Sequence, residues 1–371
     1  MTEEYQYHEI TFEHIRLEGT SYQVGQKQGE LIKPNSGAVA FFTSNKADIK
    51  KFGFKNFNEV RNLYEDYCPG INDEIEGFAD SLDTSAENIN FYLFPQSIEN
   101  CSHLVALSSI TEDEHIYMGR SYEWKHDEED LRLVTTKVKG KSKHLGFSML
   151  LFGRYEGLND HGLAVTSSGG GAYSAPMNQK GLFFSAAVRS ILDNCYDVTE
   201  AVELLKNIPL TSSTNFIVAD KEGNAALIEA LGEHLSVKEI DSNSQEQYLS
   251  ATNHYTQPDM SQYNKYVNNW LLPNSKTRQE TIKALIQSNK PHINSENLMN
   301  LLSLEIPHGL CAHYFTDYFG TLWSMVIDVS KQSIEICFGP PTHNEWYSFS
   351  LDSSTTSKKY TVTIPNKRIS A

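Results

Sequence analysis

The feature that most constrains this 371-residue chain is a change of texture at residue 101. Before it, apolar residues recur at helical spacing; after it, they gather in short β-branched and aromatic runs divided by turns. Ile71, Ile75, Phe78, Ala79 and Leu82 fall on one face of a helical repeat behind a Cys68-Pro69-Gly70 break, and predict an amphipathic helix over 71–82. Residues 11–17 alternate like a short strand, and Ser21 is placed to cap a helix running toward Ile32. Gly25 and Gly29 lie four apart on that helix. Such a pair leaves a flat strip for close packing, which offsets a helix cost of roughly 1 kcal/mol per glycine.

The run Cys101-Ser102-His103-Leu104-Val105-Ala106-Leu107 opens the second texture. Strands are predicted at 116–119, 135–139, 146–152 and 162–166, with hairpins pairing 215–219 with 225–230 and 323–328 with 334–339. Helical periodicity returns at 198–206, 276–287 and 295–303. Runs of strands with grouped helices favour two sheets packed between helical layers over an alternating parallel sheet. The expected fold class is α+β, a four-layer αββα sandwich. Residues 1–100 form a mainly helical segment and 101–371 a sheet-rich one, both packed as one unit.

A net charge of -16 argues against binding to nucleic acid or an anionic membrane surface, both of which need clustered Lys and Arg. A small-molecule or peptide-like substrate is the better expectation, and a homo-oligomer is compatible with it. The acidic, polar start has no basic or apolar leader pattern, and no segment approaches the length of a membrane span. The five cysteines, at 68, 101, 195, 311 and 337, are widely spaced and form no Cys-x-x-Cys pair. A disulfide framework and a zinc site are therefore not expected, nor is any cofactor, and a reducing cytoplasm is the expected location.

Several pieces together carry a resemblance: Gly19, Tyr22, Gly25 and Gly29; the helix ending near Leu82; Cys101; and Gly119-Arg120-Ser121-Tyr122-Glu123-Trp124. They continue with Gly157-Leu158-Asn159-Asp160-His161-Gly162, Ser213-Thr214-Asn215-Phe216, Thr252-Asn253-His254, Arg278 and Thr321-Leu322-Trp323-Ser324. In order and spacing the chain resembles the acyl-coenzyme A:6-aminopenicillanate acyltransferase family, N-terminal-nucleophile hydrolases related to choloylglycine hydrolase and penicillin V acylase. The resemblance implies that the bond Asn100-Cys101 is cut by the chain itself. The freed α-amine of Cys101 then serves as general base for its own thiol, a group that titrates near pH 8.

It further implies Arg120 beside the thiol, where a guanidinium favours thiolate, and Glu123 on the α-amine, where a carboxylate orients the lone pair and stabilises the ammonium. Ser121 stands where the family often has asparagine, Glu123 where aspartate is common, and Asn100 where glycine often precedes the nucleophile. Asn253 matches a side-chain oxyanion donor, and Arg278 an arginine near the site. For the second oxyanion donor, the run Ser167-Ser168-Gly169-Gly170-Gly171 offers a main-chain N–H near Gly169, or else is a flexible turn.

These residues read as a self-processing amidase that hydrolyses a linear carbon–nitrogen amide through a Cys101 thioester. One alternative is an acyltransferase passing the acyl group to a second amine; another is a non-catalytic scaffold for an acyl amide or a partner. A papain-like pairing of the thiol with His103, His254 or His313 is a rival, although no helix-borne cysteine context accompanies it. The remaining cysteines read as core residues.

Overall fold

A computed structural model of the chain describes residues 5–44, 48–93, 100–177, 180–352 and 357–367. The first segment contributes strand β1 (Tyr5–Gly19) and helices α1 (Ser21–Ile32), α2 (Ser36–Phe42), α3 (Phe57–Tyr67) and α4 (Ile71–Ser81). The predicted helix over 71–82 is α4. Helix α1 is capped by Thr20 rather than Ser21, because Thr20 and Gln23 form a reciprocal capping box that satisfies two backbone N–H groups at once.

Past residue 100 come β2 (Asn100–Ala106), β3 (Tyr117–Trp124), β4 (Arg132–Val138), β5 (His144–Met149), β6 (Gly153–Arg154), β7 (Gly157–Asn159) and β8 (Leu163–Gly169). Helices α5 (Phe184–Asn194) and α6 (Val198–Asn207) lead to β9 (Ser213–Asp220), β10 (Ala225–Leu231), β11 (His234–Ile240) and β12 (Tyr248–Ala251). Then follow α7 (Pro258–Ser261), α8 (Leu271–Asn289), α9 (Ser295–Ser303), β13 (His313–Tyr314), β14 (Phe319–Asp328), β15 (Ser333–Phe338), β16 (Trp346–Ser350) and β17 (Lys358–Lys367). The strand expected at 146–152 stops at Met149, since Leu150 and Leu151 take left-handed φ values of 50° and 66°.

One ten-stranded sheet runs β11-β10-β9-β8-β7-β5-β4-β1-β17, with β6 against β5; the other, seven-stranded, runs β12-β2-β3-β14-β15-β16, with β13 against β14. The sheets pack face to face through rings such as Phe147 on Trp323, stacked at 4.1 Å, and Phe12 on Phe338 at 5.2 Å. On the outer face of the second sheet, Leu104, Ala106, Tyr117 and Val326 pack with Ile282, Ile286, Leu298, Leu301 and Leu302 of α8 and α9. On the outer face of the first, Asn159 bonds the carbonyls of Leu192 and Cys195 at the end of α5. The architecture is the expected αββα sandwich.

The first segment is not only helical. Strand β1 lies inside the large sheet, parallel to β4 and antiparallel to β17. Helices α1 and α4 approach so closely that a Cβ at Gly25 would stand 1.7 Å from the Glu74 carbonyl oxygen, and one at Gly77 2.0 Å from that of Tyr22. We expect Gly25→Ala to destabilise the protein by roughly 2–3 kcal/mol, since the helices must be forced apart. An unchanged denaturation midpoint would show that the contact is dispensable.

Among the described residues no helix is long and apolar enough to cross a membrane, and no cluster of three or more His, Cys, Asp or Glu could hold a metal ion. All five cysteines are buried, and none forms a disulfide.

Candidate active site

Strand alternation sets the site. Across β2 and β3, Cys101 pairs with Tyr122, Ser102 with Ser121, and His103 with Arg120. Paired residues share a face, so Cys101, His103, Arg120 and Tyr122 look between the sheets, whereas Ser102, Ser121 and Glu123 look toward α8 and α9. The backbone of residue 101 lies in the plane dividing the two groups.

On the inner face, Arg120 Nη2 reaches Cys101 Sγ at 3.4 Å, and its Nε donates to the Ser167 carbonyl at 3.1 Å. Its Nη1 forms an ion pair with Glu156, and both side chains are almost completely buried. Burial pushes the Glu156 carboxyl up, and the Arg120 charge opposes that shift. Glu156 thus fixes the guanidinium that touches the sulfur. Sequence reading missed this residue; the signal was a pair of charges, Arg154 and Glu156, set among apolar residues, where burial requires a partner.

On the helix face, Arg278 comes from α8 and is fully buried. Its Nη1 donates to the Cys101 carbonyl at 2.7 Å and to Ser102 Oγ at 2.8 Å, and its Nη2 to Asn253 Oδ1 at 2.6 Å. Asn253 Nδ2 donates to the Gly169 carbonyl at 3.0 Å, and Ser275 Oγ accepts from the Asn253 backbone N–H at 2.7 Å. Glu123 Oε1 accepts from Ser121 and from Thr321, the latter at 3.2 Å; Oε2 is buried without a hydrogen-bond partner among the described residues. Burial pushes Glu123 up to about 8, against the opposing pull of Arg278 and Arg120.

Cys101, Arg120, Asn253, Gly169 and Arg278 therefore form one connected set, and Glu123 joins it opposite Asn100, its cross-strand neighbour. Gly169 enters that set through its carbonyl. The glycine run after it is tightly packed rather than an open turn: a Cβ at Gly170 would meet the Tyr255 hydroxyl at 2.5 Å, and one at Gly171, with φ of 77°, the Asn253 carbonyl oxygen at 2.3 Å.

The histidines are engaged elsewhere. His103 bonds Thr166 and Ser168 on β8 through its two ring nitrogens at 2.8 and 3.1 Å, and burial holds it neutral. His254 bonds Ser275, and His313 bonds Thr342. A cavity of about 530 Å³ reaches Asn100; Trp124, Tyr173, Ser213 and Trp270 also line it.

Residues 110–343 match the family model described as acyl-coenzyme A:6-aminopenicillanic acid acyl-transferase. That span starts downstream of Cys101 and contains Arg120, Glu123, Glu156, Gly169, Asn253 and Arg278. Among solved structures the chain is similar to penicillin V acylase from Agrobacterium tumefaciens, at 19% identity over 70% of this chain and 90% of that one, with a TM-score of 0.45. It is also similar to a mutant conjugated bile acid hydrolase from Clostridium perfringens, at 15% identity over 70% and 96% of the two chains, with a TM-score of 0.46. Among curated proteins none matches. The family match extends over more than half of the residues, and the chain belongs to the acyl-coenzyme A:6-aminopenicillanic acid acyl-transferase family.

Proposed function

We propose that this protein is a self-processing cysteine amidase that cleaves a linear carbon–nitrogen amide of a small N-acyl compound. The observation that carries the reading is the placing of Cys101 between two buried arginines, with Arg120 on its sulfur and Arg278 on its carbonyl, beside a Glu123 carboxyl whose Oε2 has no partner among the described residues. Cleavage at Asn100-Cys101 turns a backbone amide, which is not basic, into an amine next to Glu123. That amine takes the thiol proton, the sulfur adds to the substrate carbonyl, and collapse of the tetrahedral species expels the substrate amine with a proton from the ammonium. Water then hydrolyses the thioester, assisted by the same amine. Asn253 is the proposed side-chain donor to the oxyanion, with a main-chain N–H near Gly169 as the second. The cavity beside Asn100 is the proposed substrate pocket.

A second amine in place of water makes the same intermediate an acyltransferase, the reading that the family description favours. Incubation with activated N-acyl compounds should add one acyl mass to Cys101, and the addition should vanish in Cys101→Ala. The rate at which added amines divert the acyl group from water separates transfer from hydrolysis. If wild type and Cys101→Ala behave identically toward every amide and thioester, the protein is a binding scaffold instead.

A further inference from the structure

A second cavity, of about 860 Å³, opens beyond Trp124, between α1–α2 and the β4–β5 end of the large sheet. One wall is apolar, made by Leu31, Ile32, Phe41, Phe42 and Met149. The other carries carboxylates that already have partners: Glu13 is paired with Lys359 at 2.8 Å, Asp127 with Lys125 at 3.0 Å, and Glu129 accepts the Tyr155 hydroxyl at 2.9 Å. Two lining groups stand apart from this pattern. Arg132 is 6% exposed and feels the opposite charges of Asp130 and Glu13, yet no described residue accepts a hydrogen bond from its guanidinium, and its Nη1 is wholly buried. Asp130 spends Oδ2 on Ser148 Oγ at 2.6 Å and on the Leu151 N–H at 3.2 Å, while Oδ1 is buried with no partner among the described residues.

A buried guanidinium without a hydrogen-bond acceptor is costly even with opposite charge nearby, and so is a carboxylate oxygen without a donor. They flank Leu131, whose φ is 47°, and face a wall that includes the left-handed Leu150 and Leu151. Backbone held in that region persists where surrounding structure enforces it, commonly at ligand sites. We propose that this cavity is a second ligand site, which takes an apolar α-amino acid or a close zwitterionic relative. Its carboxylate meets Arg132, its ammonium meets Asp130 and the acidic wall, and its side chain lies on Phe41, Phe42 and Met149. A purely anionic amphiphile suffers repulsion from the acidic wall, and a purely cationic one leaves Arg132 without a hydrogen-bond acceptor. The volume suits a small organic ligand.

Calorimetric titration of the full-length protein with L-phenylalanine, 3-phenylpropanoate and 2-phenylethylamine tests this, because the three share a ring and differ only in charge. Phenylalanine is expected to bind at least about tenfold more tightly than either analogue. Arg132→Gln should reduce its affinity to that of the amine, and Asp130→Asn to that of the acid. Cys101→Ala should bind it as wild type does, so the outcome is independent of the proposed amidase chemistry. Equal binding of all three ligands to wild type overturns the proposal without recourse to any variant, as does the absence of binding by phenylalanine. Should Arg132→Gln fail to fold, Phe41→Asp, at a residue 41% exposed, must still weaken phenylalanine binding severalfold; unchanged affinity there counts against the site.

Discussion

Intact-mass measurement of purified wild-type protein is expected to find two chains, residues 1–100 and 101–371, and of Cys101→Ala a single chain. The sulfur of Cys101 first adds to the Asn100 carbonyl, the peptide C–N bond breaks as the acyl group moves to sulfur, and water cleaves the resulting thioester. The products are a carboxylate at residue 100 and an amine at residue 101. Processing and turnover share this one sulfur, so the alanine variant should lose both completely, and Cys101→Ser should cut slowly because a hydroxyl is a poorer nucleophile. The pieces should separate only on denaturation, since no disulfide joins them. They are tied by β1 within the large sheet and by Glu74 of α4, which pairs with Arg189 of α5 at 2.9 Å in a fully buried contact. A wild-type enzyme that is active while uncut would remove the α-amine from the mechanism. Glu123 or His103 would then have to act as base.

Glu123→Gln is expected to affect stability and turnover in opposite directions. In the uncut Cys101→Ala background, Glu123 is held neutral up to about 8 against an ordinary value of 4.5. Below that ordinary value both folded and unfolded chains bind the proton. Between the two values the unfolded chain has released it and the folded one has not, so stability falls as pH rises through this window and is lost by the folded value. Glutamine cannot ionise. Between pH 5 and pH 8 the parent should therefore lose roughly 3 kcal/mol relative to the variant. In processed enzyme the same change removes the carboxylate beside the new ammonium, and acylation should slow by about 10²-fold. Melting curves that stay parallel for the two proteins across that pH range, together with full activity of the variant, would detach Glu123 from the site.

The layers of this fold were readable because periodicity reports which face of an element is buried. Helix α4 emerges from its helical spacing, and the pairs β9–β10 and β14–β15 from short apolar runs on either side of a turn. Strand β1 was visible only in part, as residues 11–17, because its first half is polar and gains its place from pairing with β17, some 350 residues away. Helix α5 went unread: it is buried on nearly every side, so Phe184–Asn194 shows no clean polar stripe. Within the site, Cys101, Arg120 and Glu123 lie close in sequence, and the resemblance to the family singled them out through the run that ends in Glu123-Trp124. Arg278 could be noticed but not weighed, since a lone arginine on a helix looks like a solvated charge until the helix is docked. Glu156 sits in the link between β6 and β7 of the large sheet and Arg120 on β3 of the other, so their pairing is a property of the sandwich and not of any one strand.

Strand β1 is flanked on both sides by strands from beyond residue 101, in a sheet of ten. A cut at Asn100-Cys101 therefore makes two molecules that cannot diffuse apart without opening that sheet. With that cut, maturation would be a first-order event whose half-time is independent of protein concentration and which dilution does not reverse. The amino-terminal piece would be a permanent subunit instead of a shed inhibitor. Lifetime at elevated temperature is then governed by the unfolding rate of the whole sandwich, as kinetic stability requires, and not by an association constant between two partners.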